Sequence, residues 1–257
     1  MKNDTKLTPY RMGMHILIAV LAVFMLIPLF WLFCAAFKDK DMFSVMFWSP
    51  TPTLENFRKL LDLEPPFYRY LINSFFLASA ISMVQLFFSS LGGFALAKYK
   101  FRGQTIIMGV MLGTMMLPPQ LLLAPLFELI CRMRLVDTYP GIIIPGAVNI
   151  FGIFLFRQAM KQMPDELLEA SRIDGCSEFR IFWNVAVPLN RPMIGAFVLI
   201  SYMAAWNSFI WPQIILHDSY RFTLPVALAQ MRGAYTSEYG MLMAGTFLSI
   251  LPVMILF

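Results

Sequence analysis

The sequence predicts an all-α, polytopic transmembrane helical bundle of about six spans, and composition is the first reason. Hydrophobic residues make up 59% of the 257 residues and charged residues 14%, with a mean hydropathy of +0.68. A soluble domain carries about 25% charged residues. The second reason is six apolar stretches, most of which reach the ~30 Å needed to cross the hydrocarbon core. They are His15–Phe37, Leu71–Ala97, Thr105–Phe127, Gly141–Phe156, Met193–Leu216 and Tyr239–Phe257.

The first stretch is interpreted as a transmembrane helix rather than a cleaved signal peptide. It is too long for the apolar region of a signal peptide, and no small-x-small cleavage site follows it. Residues 1–14 are therefore predicted to form a cytoplasmic N-terminus, and residues 15–257 a membrane domain. The fourth stretch is the shortest, and the sixth extends to the last residue of the sequence.

Basic residues orient the spans through the positive-inside rule. They cluster before the first span (Lys2, Lys6, Arg11), after the second (Lys98, Lys100, Arg102) and after the fourth (Arg157, Lys161, Arg172, Arg180, Arg191). The loop after the first span is an exception that carries Lys38, Lys40, Arg58, Lys59 and Arg69. Because longer loops obey the rule less well, the bias still predicts a cytoplasmic N-terminus.

Prolines lie inside the third to sixth predicted spans. Pro118 and Pro119 lie in the third, Pro145 in the fourth, Pro212 in the fifth and Pro252 in the sixth. Each proline removes a backbone donor and bends its helix, and lipid cannot satisfy the freed carbonyl. Two interpretations stay open: prolines that membrane helices simply tolerate, or broken helices that line a substrate path.

Several kinds of site are not expected. The net charge of +5 is assigned to cytoplasmic loops rather than to nucleic-acid binding, since no basic run with interleaved aromatic residues is present. The three cysteines and both histidines are isolated in the sequence, so neither a metal site nor a disulfide framework is expected. The run Ser89–Gly93 is small enough to let two helices approach closely, and it is interpreted as packing.

The most informative segment is the loop between the fourth and fifth spans, residues 157–192. Pro164 suits a first helical position, and the two acidic residues after it complement the positive end of the helix dipole. Gly175 is suited to the left-handed residue that ends a helix, and Ser177 to the cap of the next one. The apolar faces predicted for the two helices are Leu167, Leu168, Ala170 and Ile173, and Phe179, Phe182 and Trp183.

This amphipathic helix–glycine–helix segment is too ordered for a simple tether. An apolar stripe with charged flanks suits a groove on a partner protein. A helix that lies on the lipid headgroups is the alternative, and periodicity alone does not choose between the two.

The same loop resembles the EAA loop of ABC importer permeases. The family spacing of Glu-Ala-small, x3, Gly, x9, hydrophobic-x-hydrophobic-Pro falls on Glu169, Ala170, Ser171, Gly175, Val185, Val187 and Pro188. Ser171 departs from the second alanine that is usual in the family, but its side chain is still small. Because the pattern is long and its spacing fits, the resemblance is specific.

Shorter strings extend the resemblance to the maltose-transporter-type sugar permeases. They are Asn73–Ser74, Ala97–Tyr99, Trp206–Pro212 and Phe222–Pro225, with Ala244 and Pro252 in the final span. The resemblance implies a permease subunit of an ATP-driven importer for sugars or oligosaccharides in the bacterial cytoplasmic membrane. It implies as partners an ABC ATPase dimer, a second homologous permease and an extracytoplasmic solute-binding protein.

By the same resemblance, residues 164–188 couple the permease to the ATPase through Glu169, Ala170, Ser171, Asp174, Gly175 and Pro188. The chain has no GxxxxGK[ST] loop, so it is expected to be non-catalytic and to hold no cofactor, with ATP–Mg on the ATPase. Closure of the ATPase would push a stiff element that has two positions. Glu169 is assigned to a basic group on the ATPase, with a local pair to Arg172 as the alternative. Asp174 is assigned to the turn at Gly175.

For the substrate path the sequence offers Trp206, Asn207 and Trp211, because aromatic faces stack on sugar rings and an amide suits hydroxyl groups. Interfacial anchoring of the tryptophans and a helix–helix hydrogen bond of Asn207 are the alternatives.

Three other functions compete with this interpretation. A permease for glycerol phosphate or a polyol is the first, but a phosphate would require arginines in the cavity. A membrane-embedded enzyme would need paired carboxylates, a histidine constellation or a nucleophile–base pair at membrane depth, and no charged residue lies deep inside any predicted span. The third is a structural or assembly protein without transport. The EAA-type loop argues against it, because such a protein would have no ATPase for the loop to bind.

Overall fold

The computed structural model describes residues 9–38, 48–49, 51–234 and 238–256. Within these ranges every regular element is helical and no strand occurs, which confirms the all-α prediction. Part of the predicted cytoplasmic N-terminus, with Lys2 and Lys6, lies outside the described residues, as do Lys40 and Phe257.

Fourteen α-helices follow one another in the described part of the chain. They are α1 (Pro9–Ala36), α2 (Glu55–Leu61), α3 (Phe67–Lys98), α4 (Gln104–Thr114), α5 (Leu123–Arg132), α6 (Tyr139–Ile143), α7 (Ile150–Lys161), α8 (Asp165–Ile173), α9 (Glu178–Ile181), α10 (Val187–Leu189), α11 (Arg191–Trp206), α12 (Ile210–Ile215), α13 (Leu224–Ala234) and α14 (Tyr239–Leu256). Three tighter or wider turns adjoin them, the 3-10 turns Pro119–Leu122 and Ser219–Arg221 and the π-helical turn Phe182–Ala186.

Two helices are long and apolar enough to cross a membrane by themselves, the Met12–Ala36 part of α1 and the whole of α3. Two further apolar pairs are bent at short breaks. Gln104–Thr114 meets Pro119–Arg132 at 96°, and Glu178–Leu189 meets α11 at 83°, so the described residues contain up to four such spans. The polytopic helical class is confirmed, and the shorter helices α7 and α14 leave room for about six crossings.

The fourth and fifth predicted spans are each divided into two helices. The fourth is broken between α6 and α7, where Pro145 lies, and α7 restarts when Asn149 Oδ1 accepts a 2.9 Å hydrogen bond from the N–H of Gly152. The fifth is broken at residues 207–209, between α11 and α12. Such breaks are tolerated at membrane depth only where neighbouring helices or a cavity satisfy the freed backbone groups.

One compact unit comprises residues 1–68 and 228–257. Its α1 ends beside α2, where the buried Asn56 donates from Nδ2 to the carbonyls of Ala36 (2.9 Å) and Lys38 (2.7 Å). Gly240 lies against Asn56 so closely that a Cβ there would be 2.6 Å from Oδ1. From Met12 to Phe30 the side chains of α1 are exposed, and this apolar surface suits a lipid environment.

The other unit comprises residues 69–227 and has a hydrophobic cluster near each end of α3. The first cluster contains Leu77, Ile130, Ile142, Ile215 and Leu216. The second contains Phe94, Phe156, Met160, Met163, Leu168, Ile181, Phe182, Ala186 and Phe197. At 1.5 Å per residue, Leu77 and Phe94 are about 25 Å apart along α3. This helix is therefore a continuous rod between the two clusters.

Small residues let α3, α7 and α11 approach one another. A Cβ on Gly93 would lie 2.5 Å from Phe156 Cβ and 2.8 Å from the backbone N of Arg157. A Cβ on Gly152 would lie 2.5 Å from the Phe197 ring and 2.6 Å from Ser89 Oγ. The interpretation of the Ser89–Gly93 run as a packing surface is confirmed.

Candidate functional site

The first candidate site is the helix pair α8–α9, and local signals determine where α8 begins. Asp165 is its first residue, and Pro164 precedes it with φ −58° and ψ 134°. Pro164 was predicted at the first helical position and instead lies one residue before the helix, because its ψ is extended. Asp165 and Glu166 occupy the first turn as predicted, where negative charge is favoured by the helix dipole.

Gly175 separates the two helices in the way the sequence predicts. Its φ is +78°, a left-handed conformation that glycine adopts without steric cost. The N–H of Gly175 donates to the carbonyl of Arg172, and the N–H of Cys176 to that of Ser171, each at 3.0 Å. Ser177 then caps α9, since its Oγ accepts from the N–H of Arg180 at 3.4 Å.

An ion pair on the protein surface joins α8 to α9 across the turn at Gly175. Arg172 Nε and Nη2 donate to the two carboxylate oxygens of Glu178 at 2.7 and 3.2 Å, and the hydroxyl of Tyr99 donates to the same carboxylate. The hydrogen bonds from Arg172 and then from Tyr99 lower the pKa of Glu178 below its ordinary value. Burial and the hydrogen bond to Glu178 raise the pKa of Tyr99, which keeps its hydroxyl protonated as a donor.

The two apolar faces predicted for this helix pair are divided between the core and the surface. Leu168 is buried with Ile181 and Phe182 in the second hydrophobic cluster. Ile173 and Phe179 point outward and are 88% and 58% exposed. Leu167, Ala170 and Trp183 are also exposed. The buried residues therefore anchor the pair, and the outward ones leave an apolar surface that no other described residue covers.

The predicted coupling residues lie mostly on that outer surface. Glu169, Ala170, Asp174 and Gly175 are exposed, whereas Ser171 and Pro188 are partly buried. Because Arg172 pairs with Glu178, the alternative local pair between Glu169 and Arg172 does not form. Ser171 Oγ donates back to the carbonyl of Leu167 at 2.7 Å, so its hydroxyl is satisfied within α8.

The second candidate site is a cavity of about 350 Å³ in the unit of residues 69–227. It is lined by Ile81, Gln85, Pro119, Leu122, Leu123, Leu126, Ile142, Pro145, Gly146, Asn149, Ser201, Ala204, Ala205, Ser208 and Trp211. None of these residues carries a formal charge. Two of the prolines that break predicted spans are among them, which favours the interpretation that broken helices border a path.

A polar network lines this cavity where α3, α11 and the break before α7 meet. Gln85 donates from Nε2 to the carbonyl of Gly146 at 2.8 Å. Its Oε1 accepts from Ser201 Oγ at 2.7 Å and from Asn149 Nδ2 at 3.3 Å. Gln85, Asn149 and Ser201 were not among the predicted site residues, although amide side chains inside apolar stretches were a usable signal.

The three residues predicted for the substrate path have different surroundings. Trp211 lines the first cavity and also a second one of about 470 Å³, while Nε1 donates to the carbonyl of Gly141 at 3.2 Å. Asn207 is exposed and lines the second cavity, with Nδ2 donating to the carbonyl of Met203 at 2.8 Å. Trp206 lines neither of these cavities and is buried, with its ring stacked on Tyr202 at a centroid distance of 6.0 Å.

Comparison with known sequences gives one family and several relatives. Residues 88–257 match the family described as binding-protein-dependent transport system inner membrane component. The chain is 32% identical over 262 residues to the arabinooligosaccharides transport system permease protein AraQ of Bacillus subtilis strain 168, covering 100% of this chain and 93% of that protein. It is 31% identical over 255 residues to the sn-glycerol-3-phosphate transport system permease protein UgpE of Shigella flexneri, covering 94% of this chain and 90% of that protein.

A second AraQ, from Halalkalibacterium halodurans, is 36% identical over 245 residues, covering 93% of this chain and 87% of that protein. Among solved structures, a chain of a bacterial ABC transporter involved in the import of the acidic polysaccharide alginate superposes with a TM-score of 0.84. That match covers 99% of this chain and 96% of the other at 22% identity, so it shows a shared fold.

Proposed function

The chain belongs to the family of binding-protein-dependent transport system inner membrane components, and on this premise we propose that it is the permease subunit of an ATP-driven importer for neutral sugars or oligosaccharides. It forms half of a translocation path and couples to a separate ATPase through residues 164–188. Its place is the bacterial cytoplasmic membrane, with the N-terminus on the cytoplasmic side. ATP–Mg binds to the ATPase dimer.

The observation that carries the coupling role is the divided surface of the helix pair α8–α9. Leu168 and Phe182 anchor the pair in the core, while Ile173 and Phe179 are exposed beside the charged Glu169 and Asp174. A braced apolar surface rimmed by charges suits a groove on a partner protein. The ATPase therefore docks on this surface, with Glu169 paired to one of its basic groups.

The preference for a neutral solute comes from the cavity lining. A phosphate or carboxylate is held best by arginines or by several converging N–H donors, and the lining residues include neither Arg nor Lys. Sugar hydroxyl groups suit amides and serines, and a sugar face suits the indole of Trp211. The cargo named for AraQ, arabinooligosaccharides, fits this lining better than the glycerol phosphate named for UgpE.

Two further partners follow from the proposal. A second, homologous permease supplies the other half of the path, and an extracytoplasmic solute-binding protein delivers the sugar. The exposed apolar side chains of α1 from Met12 to Phe30 are compatible with lipid or with a partner helix. Trp206 is assigned here to packing against Tyr202, and Asn207 and Trp211 to the path.

The coupling role is tested by affinity purification of this chain from native membranes solubilised in mild detergent. We expect an ATPase and a second permease to co-purify, and Glu169→Lys to release the ATPase while the second permease stays bound. Glu166→Lys is the matched control, because Glu166 is also exposed on α8. If no ATPase co-purifies with the unmodified chain, the chain does not act as an importer subunit.

The cargo is tested with the purified complex in lipid nanodiscs together with its solute-binding protein. We expect arabinotriose, as a neutral probe, to stimulate ATP hydrolysis and sn-glycerol-3-phosphate to have no effect. Stimulation by glycerol phosphate alone would contradict the preference for a neutral solute and leave the coupling role intact.

A further inference from the structure

The end of α3 is attached to the start of α8 by a buried lysine. Lys98 is the last residue of α3, and its side chain is only 3% exposed. Its Nζ donates to the carbonyl of Met163 and to Asp165 Oδ1, each at 2.6 Å. A buried ammonium held by a carbonyl and a carboxylate fixes its partners in one geometry, because breaking either bond leaves a charge poorly solvated.

The next residue, Tyr99, is attached near the other end of α8, where α9 begins. Its hydroxyl donates to Glu178, the first residue of α9, which is also bound by Arg172 in the last turn of α8. The Tyr99 ring meets Phe94 edge-on at 5.8 Å. Lys98 and Tyr99 therefore bind both ends of α8, one directly and one through the ion pair Arg172–Glu178.

The same helix α3 carries Gln85, the central residue of the cavity network. Gln85 and Lys98 are joined by uninterrupted α-helix, about 20 Å long at 1.5 Å per residue. Along this stretch α3 also contacts α7 at Gly93, with no room for a side chain. A continuous helix therefore joins Lys98 to the cavity.

The covalent connections of the helix pair are less rigid. Toward the N-terminus, residues 162–164 between α7 and α8 are not helical. Toward the C-terminus, the π-helical turn Phe182–Ala186 and the 83° bend before α11 intervene. Breaks of this kind are where helices bend, so the connection through Lys98 and Tyr99 to α3 is the stiffer one.

We infer that Lys98 and Tyr99 are positioning residues that transmit movement of the helix pair α8–α9 into α3 and from there to the cavity around Gln85. This inference rests on the proposed coupling of α8–α9 to an ATPase and names the residues through which that coupling reaches the solute path. It requires that the bonds of Lys98 persist while the helix pair moves.

The test uses the complex co-purified with its ATPase, in nanodiscs, with the native cysteines of this chain replaced by serine. Ser208 lines both cavities, so a cysteine introduced by Ser208→Cys reports how accessible the cavities are to water. Its rate of labelling by a water-soluble maleimide is measured with and without ATP and vanadate. In Lys98→Met we expect ATP hydrolysis within about twofold of the parent. We expect the ATP-dependent change in labelling to fall by about fivefold or more.

Three companion variants separate positioning from folding. Lys98→Arg retains the charge and the donors and is expected to recover most of the labelling change. Tyr99→Phe keeps the ring contact with Phe94 but loses the bond to Glu178, so a smaller loss is expected. Lys100→Met removes an exposed lysine two residues away and is expected to match the parent.

Two results would overturn the inference. One is a Lys98→Met complex whose ATP-dependent labelling equals that of the parent. The other is a Lys98→Met complex that loses bound ATPase in parallel with the labelling change, because Lys98 would then only hold the docking surface together. Failure of the proposed function is distinguishable, since the parent complex would itself lack the ATPase and the ATP-dependent change.

Discussion

Arg172 and Glu178 lie on opposite sides of Gly175 and form a two-pronged ion pair, with nitrogen–oxygen distances of 2.7 and 3.2 Å. The pair joins the last turn of α8 to the first residue of α9. It holds the angle of the helix pair from outside, while Leu168 and Ile181 hold it from the core.

This ion pair makes the helix pair sensitive to acid. The pKa of Glu178 in the folded protein is lowered from its ordinary value of 4.5. Its carboxylate therefore stabilises the helix pair fully above pH 4.5, and this stabilisation is lost as the pH falls through the lower pKa of the folded state. Because the pair is half exposed, the loss is less than about 1 kcal/mol. Hydrogen exchange of residues 165–181, corrected for intrinsic rates, should show lower protection at acidic than at neutral pH. In Glu178→Gln this step should be smaller but not absent, because Asp165, whose pKa is also lowered by its hydrogen bond from Lys98, still titrates. An unchanged step would mean that Glu178 does not contribute to it.

Gly175 is expected to be the most sensitive position for coupling. A Cβ there would meet no atom within 4 Å, so Gly175→Ala suffers only the left-handed backbone cost of about 1–2 kcal/mol. Gly175→Pro cannot adopt the positive φ and loses the N–H bond to Arg172. Sugar uptake per ATP hydrolysed should decrease in the order Gly, Asn, Ala, Pro, because asparagine tolerates this conformation. The amount of protein in the membrane should not change, and normal coupling in the proline variant would refute the role of this turn.

Gly92 and Gly93 form a matched pair for the packing of α3. A Cβ on Gly93 would collide with Phe156 and with backbone atoms of α7, whereas a Cβ on Gly92 would touch Ile153 Cδ1 at 3.4 Å. Gly93→Ala should therefore destabilise the protein by about 1–3 kcal/mol, and Gly92→Ala should have little effect. Thermal unfolding in detergent, followed by tryptophan fluorescence, measures the difference. Equal melting temperatures for the two variants would contradict the close contact between α3 and α7.

Asn207 is predicted to contact the transported sugar. Asn207→Leu removes one hydrogen-bonding side chain from the second cavity, so the KM for arabinotriose in stimulated ATP hydrolysis should rise by about threefold to tenfold. Gln213→Leu is the matched control, because Gln213 is exposed and lines neither of the two cavities described above. An unchanged KM and rate in Asn207→Leu would exclude this residue from the path.

The helix pair was largely predictable because its signals are local. Gly175 adopts the left-handed conformation and Ser177 caps α9, since turn and cap chemistry depends on a few adjacent residues. The division of the apolar stripe was not predictable. Leu168 packs in the core and Ile173 is exposed, and periodicity does not say which part of a wide stripe another element covers.

The path residues show the same limit. Trp206 and Asn207 are adjacent in sequence, but α11 ends between them. The tryptophan therefore packs on Tyr202 and the amide lines a cavity. Sequence alone treats the two as one aromatic–amide motif, because the direction of each side chain depends on where the helix stops.

The sequence by itself determined an all-α membrane protein with an amphipathic helix–glycine–helix between two apolar segments, because hydropathy and turn chemistry are local properties. Only the tertiary structure decided that Lys98 reaches Asp165, 67 positions away, and that Ser201 meets Gln85, 116 positions away. These pairs form because α3 packs against α7, α8 and α11, which brings residues that are distant in sequence together. Contacts between distant residues depend on how whole helices fit together, which no local pattern in the chain records.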